Sequence, residues 1–449
     1  MSVLKNVSRR TTGSRTASIS YAIAFALNLV ALLLTLGCSQ TSRLDASQAA
    51  KPELRVGTSG DYTPFSVREP HLSHVPHGFS IGVAEAYAEH TDREIRWIDF
   101  TWPNLAGDLA ADRFDLALSG VTVRPDRSIL GRFSVPLTIS GAVALVPAES
   151  ALKTRSDLSR AGIGIAVNAG GHLERTTRKL FPEARVVPIA TNAGVLDALD
   201  RDGISAVITD TLEAPHWQAR RPGLRAIGPL TQDRKAAWFP ASREEEARRF
   251  DLWMLAAEKD GTLAALREQH GLPNARTATP TVALLASLDE RLSLMIDVAR
   301  AKQILGSAIE DLEREARVLA SAGRGIARAA QDNGTQTPPS AVIRDFYASQ
   351  MEAAKSIQRT WTAHAPRPAA PTKTARLRAQ TALDQEIRPA LIYLGDRIAR
   401  LVVRVLAEGD RAPTRSELSE ALARHELPEA RIDAIADAIT ALFEEHDRR

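Results

Sequence analysis

The chain has 449 residues, longer than one ordinary domain, and predicts two or three. Its 44% apolar content excludes disorder throughout, and a formal net charge of +3 with acids and bases interspersed excludes the basic stripe of a nucleic-acid-binding protein. A single cysteine excludes a disulfide framework and a cysteine metal cluster, and neither a metal-spaced histidine cluster nor a phosphate loop occurs, so no metal or cofactor is expected.

At the N-terminus Lys5, Arg9, Arg10 and Arg15 precede an uncharged run over 17–37, which predicts an export signal over residues 1–37. An uncleaved anchor is the alternative, because the run approaches the ~20 residues that span a bilayer. The run ends in Leu34-Thr35-Leu36-Gly37-Cys38, which is similar to the bacterial lipobox. That resemblance implies lipidation at Cys38, hence an exported, periplasmic, membrane-anchored lipoprotein. Residues 38–52 are small and polar and read as a tether.

Over residues 53–275 short β-like runs at 54–58, 95–100, 114–119, 163–167, 206–209 and 236–239 alternate with helical patterns. This predicts a two-lobed α/β domain. The chain is expected to leave one lobe near Val146 and return near Pro240, with a helix over 244–258 closing back on the first lobe. Two such lobes frame a cleft.

Gly60-Asp61-Tyr62-Thr63-Pro64-Phe65, Gly78-Phe79 and Asp112-Arg113-Phe114-Asp115 resemble the periplasmic amino-acid-binding proteins of the type II solute-binding fold. Within that superfamily, T-S-G-D-Y-x-P-F-S from Thr58, T-W-P-N-L at 101–105 and V-N-x-G-G-x-x-E at 167–174 resemble cyclohexadienyl dehydratases, exported enzymes acting on prephenate and arogenate. Ile208-Thr209-Asp210 followed by Glu213, and Lys235-Ala236, extend the match.

The resemblance implies that Arg127 clamps a carboxylate, with Ser119 and Thr122 on the preceding loop, because the guanidinium fork pairs both oxygens. It implies that Glu174 is the general acid that protonates the departing ring hydroxyl as carbon dioxide leaves, which requires a pKa raised by burial. Asp210 would read an amine, and Asp61, Trp102, Asn168 and Lys235 would line the pocket. His172 and Leu173 depart from the family's threonine and asparagine, and Gly78-Phe79-Ser80-Ile81-Gly82 lacks its usual acidic residues. His172 is either a substituted contact or a surface histidine. The alternative reading is an amino-acid-binding lipoprotein in which the dehydratase is inactive, Arg127 and Asp210 clamp the ligand and Glu174 is a helix-entry carboxylate.

Over residues 280–449 the pattern turns helical. Leu285, Leu288, Leu292, Met295, Ala299, Leu305 and Ile309 recur at three and four and predict one amphipathic helix carrying Arg291 and Lys302. Eleven residues make three turns plus roughly 20°, so the two cations project from nearly one face, about 16 Å apart. Gly306 followed by Ser307-x-x-Glu310 reads as a helix end and a capping box, with a second helix starting at Ser307. On that helix Asp311 and Glu315 share a face and Arg314 lies beside them, a corner suited to a dicarboxylate bearing a ring hydroxyl. A solvated helix with ordinary ion pairs is the alternative. Residues 363–374 read as a loop, Pro389 starts or kinks the last long helix, and short helices over 416–424 and 429–446 end the chain.

This region resembles all-helical AroQ-class chorismate mutases, specifically the secreted subgroup, on Arg291, Lys302, Asp311, Arg314 and Glu315. F-Y-A-S-Q-M-E-A-A-K-S-I-Q places Gln358 beside the substrate's ether oxygen, and R-P-A-L-I-Y-L-G-D-R offers Arg397 as the subgroup's additional arginine. Ala354 stands where some relatives have a threonine contact. The resemblance implies rearrangement of chorismate to prephenate with no nucleophile, metal or cofactor. Arg291, Arg314 and Arg397 would hold the carboxylates, Lys302 and Gln358 would donate to the ether oxygen, and Asp311 and Glu315 would orient the second helix and accept the ring hydroxyl. The product of this half is the substrate of the other. A bifunctional enzyme is therefore expected, running from chorismate through prephenate to phenylpyruvate, or from arogenate to phenylalanine.

Overall fold

The computed structural model describes residues 51–68, 75–366 and 370–447. The export signal, Cys38 and most of the tether lie outside the described residues.

The first lobe is a five-stranded sheet in the spatial order Glu94–Asp99, Glu53–Thr58, Leu116–Ala117, Trp238–Pro240, Gly131–Phe133. Its first three strands are parallel, and Trp238–Pro240 runs antiparallel to both neighbours. The second lobe repeats the plan with Arg185–Ile189, Gly164–Asn168, Ala206–Asp210, Ala142–Pro147 and Leu224–Ile227. Gly164–Asn168 and Ala206–Asp210 are buried at every position, as expected of strands covered on both faces. Strands Thr138–Ser140 and Asp233–Lys235 pair between the lobes and form the hinge. The chain thus crosses before Ala142, earlier than the expected Val146, because Ala142–Pro147 already belongs to the second sheet. The return at Trp238–Pro240 and the closing helix Glu244–Lys259 fall where the sequence puts them.

The helical part begins with Pro280–Ser293, whose Thr279 caps the Val282 N–H at 3.3 Å and whose first residue is the proline that tolerates that position. The expected single helix is interrupted at Leu294 and resumes as Met295–Leu305, ending at the left-handed Gly306. The next helix does not start at Ser307. It runs over Leu312–Asp332 and is capped by Asp311, which accepts from Arg314 N at 3.0 Å. Residues 307–311 instead form a loop in which the Ile309 carbonyl takes the Lys302 ammonium at 2.7 Å. Ser340–His364, Lys373–Thr381, Arg388–Glu408, Arg415–Leu422 and Glu429–Asp447 complete the part, with Pro389 entering the long helix.

The two parts share one apolar core. Phe79, Phe239 and Phe250 of the first lobe are continuous with Leu284, Leu288, Ile398 and Leu401 of the helices. Polar groups reinforce the junction: buried Glu258 pairs with Arg267 at 2.6 Å and accepts from Ala278 N at 3.0 Å, and Thr277 donates to Leu137 O at 2.7 Å. The residues from Glu53 onward form one unit. No helix among the described residues is long and apolar enough to cross a membrane.

Candidate active sites

The cleft between the lobes is closed around a cavity of about 40 Å³. Tyr62 of the first lobe donates to Asp210 of the second, and Asn192 Nδ2 donates to Asp61 O at 3.2 Å. Two glycines permit this approach. Gly120 (φ 68°) and Gly170 (φ 73°) take a left-handed backbone, and a Cβ on Gly170 would lie 2.7 Å from Pro103 across the cleft.

Of the residues expected here, Trp102, Thr122, Arg127, Asn168 and Lys235 line the cavity, together with His172 and Leu173. Arg127 rises from the first turn of Pro125–Leu130. Its guanidinium lies over Trp238 at 5.7 Å and donates to Thr122 O at 3.1 Å, forming no ion pair among the described residues. Burial, with Arg124 nearby, lowers its pKa. Asp210 accepts from Lys235 at 3.0 Å and from the N–H groups of Leu212 and Glu213 at 2.9 and 3.0 Å. The Lys235 ammonium also sits 4.9 Å from the Tyr62 ring centroid. His172 is a partner of Asp233 at 3.0 Å, a wall contact rather than a free surface histidine.

Three expectations need correction. Ser119 is fully buried behind the cleft, bonded to Ser59 N and Oγ at 3.1 and 2.7 Å. Asp61 is exposed and accepts from Trp102 Nε1 at 3.1 Å, off the cavity wall. Glu174 lacks the raised pKa that a general acid requires. Burial raises it, but the Gly170 N–H at 2.8 Å and Arg178 at 2.8 Å outweigh burial and hold it below the usual carboxylate value.

A carboxyl beside the cleft with the opposite shift is Glu213, 2% exposed. It accepts from Asn192 Nδ2 and Thr209 Oγ1, both at 2.6 Å. Burial first and Asp210 second push its pKa up to about 8. It lies one hydrogen bond behind the cavity wall, through Asn192. The spacing Asp210-x-x-Glu213 at a strand end was the available sequence signal; Tyr62 and Asn192 offered none by type.

The second site is a pocket of about 190 Å³ inside the helical bundle. Arg291, Lys302, Asp311, Arg314, Glu315 and Gln358 all line it, drawn from four helices and the 307–311 loop. Burial lowers the pKa of Arg291, Lys302 and Arg314, with neighbouring Arg314 adding to the shift at Lys302. Arg291 Nη1 and Gln358 Oε1 are buried without a protein partner among the described residues, which leaves both able to bond a ligand in the pocket. Gln358 Nε2 donates to Ala354 O at 3.2 Å, and a half-turn of the amide presents Nε2 to the pocket instead. Lys355 is an additional cation here, bonded to Glu315 at 3.1 Å. It precedes Gln358 by three and therefore shares its helix face.

Arg397 is the fourth correction. It lies outside this pocket, 2% exposed, where it pairs with Glu290 and donates to Ser287 Oγ at 3.0 Å and Phe133 O at 2.8 Å. The arginine that reaches the pocket is Arg388, at the other end of the same motif. Nine residues turn a helix through two and a half turns, so the two side chains leave opposite faces.

Comparison with known proteins agrees with this division. Residues 54–273 match the bacterial extracellular solute-binding proteins, family 3, and residues 281–359 match chorismate mutase type II. A cyclohexadienyl dehydratase of Pseudomonas aeruginosa is 32% identical over 254 residues, covering 55% of this chain and 92% of the relative. The L-cystine-binding protein TcyJ of Escherichia coli is 26% identical, covering 54% and 93%. An ancestral amino-acid-binding protein, described as a precursor of cyclohexadienyl dehydratase, has a solved structure 26% identical with a TM-score of 0.45, covering 49% and 95%. The chain belongs to the family 3 solute-binding proteins, among which cyclohexadienyl dehydratase is a relative, and it carries a type II chorismate mutase domain behind that fold.

Proposed function

We propose that the protein is a bifunctional exported enzyme that rearranges chorismate to prephenate in the helical bundle and converts prephenate to phenylpyruvate in the cleft. The observation that carries this reading is one chain holding both a cation-lined bundle pocket and a cleft backed by a carboxyl, Glu213, whose pKa of about 8 keeps it protonated at neutral pH.

In the bundle, Arg291, Arg314 and Arg388 hold the two carboxylates and fold the enolpyruvyl arm over the ring. Lys302 and Gln358 donate to the ether oxygen as its bond breaks, while Asp311 and Glu315 fix the geometry and take the ring hydroxyl. Restraint and charge placement perform the reaction. In the cleft, Arg127 and Asn168 hold prephenate and Glu213 gives its proton to the ring hydroxyl. The C–O bond breaks to release water, the ring carboxylate leaves as carbon dioxide, and its bonding pair completes the aromatic ring. Entry of the substrate parts the lobes and breaks the Tyr62–Asp210 and Asn192–Asp61 O bonds that span them, so that the freed Asn192 side chain turns aside and uncovers Glu213.

Lys235 favours prephenate over arogenate. It already occupies Asp210, the carboxylate that would read an amine, so an ammonium ligand must displace a buried lysine 3% exposed. Export and lipidation at Cys38 belong to this proposal on the strength of the N-terminal residues and the extracellular family.

The test gives the full chain chorismate alone and follows chorismate loss and phenylpyruvate formation. The reading expects phenylpyruvate from the parent, no chorismate loss with Lys302→Ala, and prephenate accumulating with Glu213→Gln. A parent that stops at prephenate reduces the cleft to a binding site.

A further inference from the structure

A charged cavity of about 210 Å³ belongs to neither site and lies where the helical part meets both lobes. The first lobe contributes the 123–126 segment, the second lobe the helix His172–Leu180, the hinge strand Arg234, and the bundle Asp289 and Glu290.

Six arginines and lysines and four carboxylates line the cavity, a surplus of two positive charges before His172 is counted. The pairings distribute that surplus. Arg124 and Arg175 share Asp126 at 2.9 and 3.2 Å. Arg234 and Arg424 share the buried Asp289, whose pKa burial raises but Arg424 and its other partners pull down to about 2. Arg397 takes Glu290, and Lys179 forms no ion pair among the described residues. Arg124, with a side chain 11% exposed, keeps a buried Nη1 without a protein partner among the described residues. Two excess cations and an unsatisfied guanidinium N–H are the complement of a small dianion.

Position specifies the route. His172 lines both this cavity and the cleft cavity, so the two adjoin. The helix Pro280–Ser293 forms the far wall with Asp289 and Glu290, and its next residue, Arg291, lines the bundle pocket. We propose that this cavity is a third anion site, an antechamber that takes a small ring dicarboxylate at the cleft entrance. The inference rests on the proposed function for the identity of that dicarboxylate, and on the cavity alone for its being an anion site. A cation-lined depression between low-dielectric walls raises the local concentration of an oppositely charged substrate and its on-rate by roughly 10- to 1,000-fold.

Isophthalate, a flat ring dicarboxylate that the cleft cannot dehydrate, is titrated calorimetrically into the full chain. Arg175 and Lys179 are exposed, so Arg175→Ala/Lys179→Ala leaves packing intact, and Arg175→Glu gives an independent variant. Both are expected to bind one equivalent fewer than the parent. With prephenate added from outside, both are expected to raise KM roughly 10-fold at low salt with kcat unchanged, and to flatten the dependence of kcat/KM on ionic strength. Unchanged stoichiometry overturns the site. A lost equivalent with unchanged KM overturns its role as antechamber. Because isophthalate binding needs no turnover, a parent that binds the extra equivalent yet forms no phenylpyruvate overturns the proposed function and upholds the anion site.

Discussion

Arg388 and Arg397 leave one helix in opposite directions, the first into the bundle pocket and the second into the junction with the first lobe against Glu290 and Phe133 O. Substitution should separate them. Arg388→Ala is expected to lower kcat/KM for chorismate by a hundred- to thousandfold, about 2.7–4 kcal/mol, with the urea midpoint unchanged.

Arg397→Ala should instead remove one partner of a buried pair, its side chain 3% exposed and that of Glu290 6%. The cost is about 3–5 kcal/mol of stability. Urea unfolding checks it, and an undiminished midpoint with lost mutase activity would return Arg397 to the catalytic set.

Glu213→Gln should reduce phenylpyruvate formation from added prephenate by roughly a hundred- to ten-thousandfold, the worth of a general acid, while chorismate is consumed at the parental rate. Glu174→Gln should leave dehydration within a few-fold of the parent, since its carboxylate is spent on Gly170 N and Arg178. A reversed pattern would restore the role to Glu174.

The same carboxyl predicts the pH dependence. Glu213 must be protonated to act, so dehydration should decline as pH rises through about 8. Stability follows with a definite sign. Between an unfolded carboxyl pKa of about 4.3 and the folded value of about 8, the native state holds a proton that the unfolded chain has released, so stability falls as pH rises across that window. Buried Asp251, pushed up to about 6, acts in the same direction at lower pH. Paired pH series of kcat and of the urea midpoint, in the parent and Glu213→Gln, would detect both; a flat activity profile up to pH 10 would contradict the assignment.

Lys235→Met should free Asp210 to meet an ammonium group. Arogenate is expected to gain on prephenate by roughly tenfold or more in relative kcat/KM, an opened buried ion pair being worth at least that. Competition between the two substrates measures the ratio, and an unchanged ratio would mean that Lys235 has no part in selection.

Much of this site was legible in the chain because its signals are local. The three-four recurrence of apolar residues turned Arg291 and Lys302 toward one pocket even though the helix breaks at Leu294 between them, and the residues Trp102, Arg127, Asn168 and Lys235 are ones that the fold does bring to one cavity. Gly306 ended its helix as expected, whereas the cap moved from Ser307 to Asp311 because the intervening loop is held out by Lys302 on Ile309 O.

By itself the sequence determined the order of two folds, their alternating and helical periodicities, and the kinds of residue each site would use, since these follow from neighbours a few positions apart. Tertiary structure decided which of two arginines nine apart meets the pocket, and that the pKa of Glu213 is raised while that of Glu174 is lowered. Those outcomes depend on desolvation and on partners far along the chain. Glu213 is raised because the folded lobe shuts water away from it beside Asp210. The charged cavity beside the cleft exists only where segments near 124, 175, 234 and 289 converge. No local pattern encodes such a meeting; only the packing of the helices onto both lobes creates it.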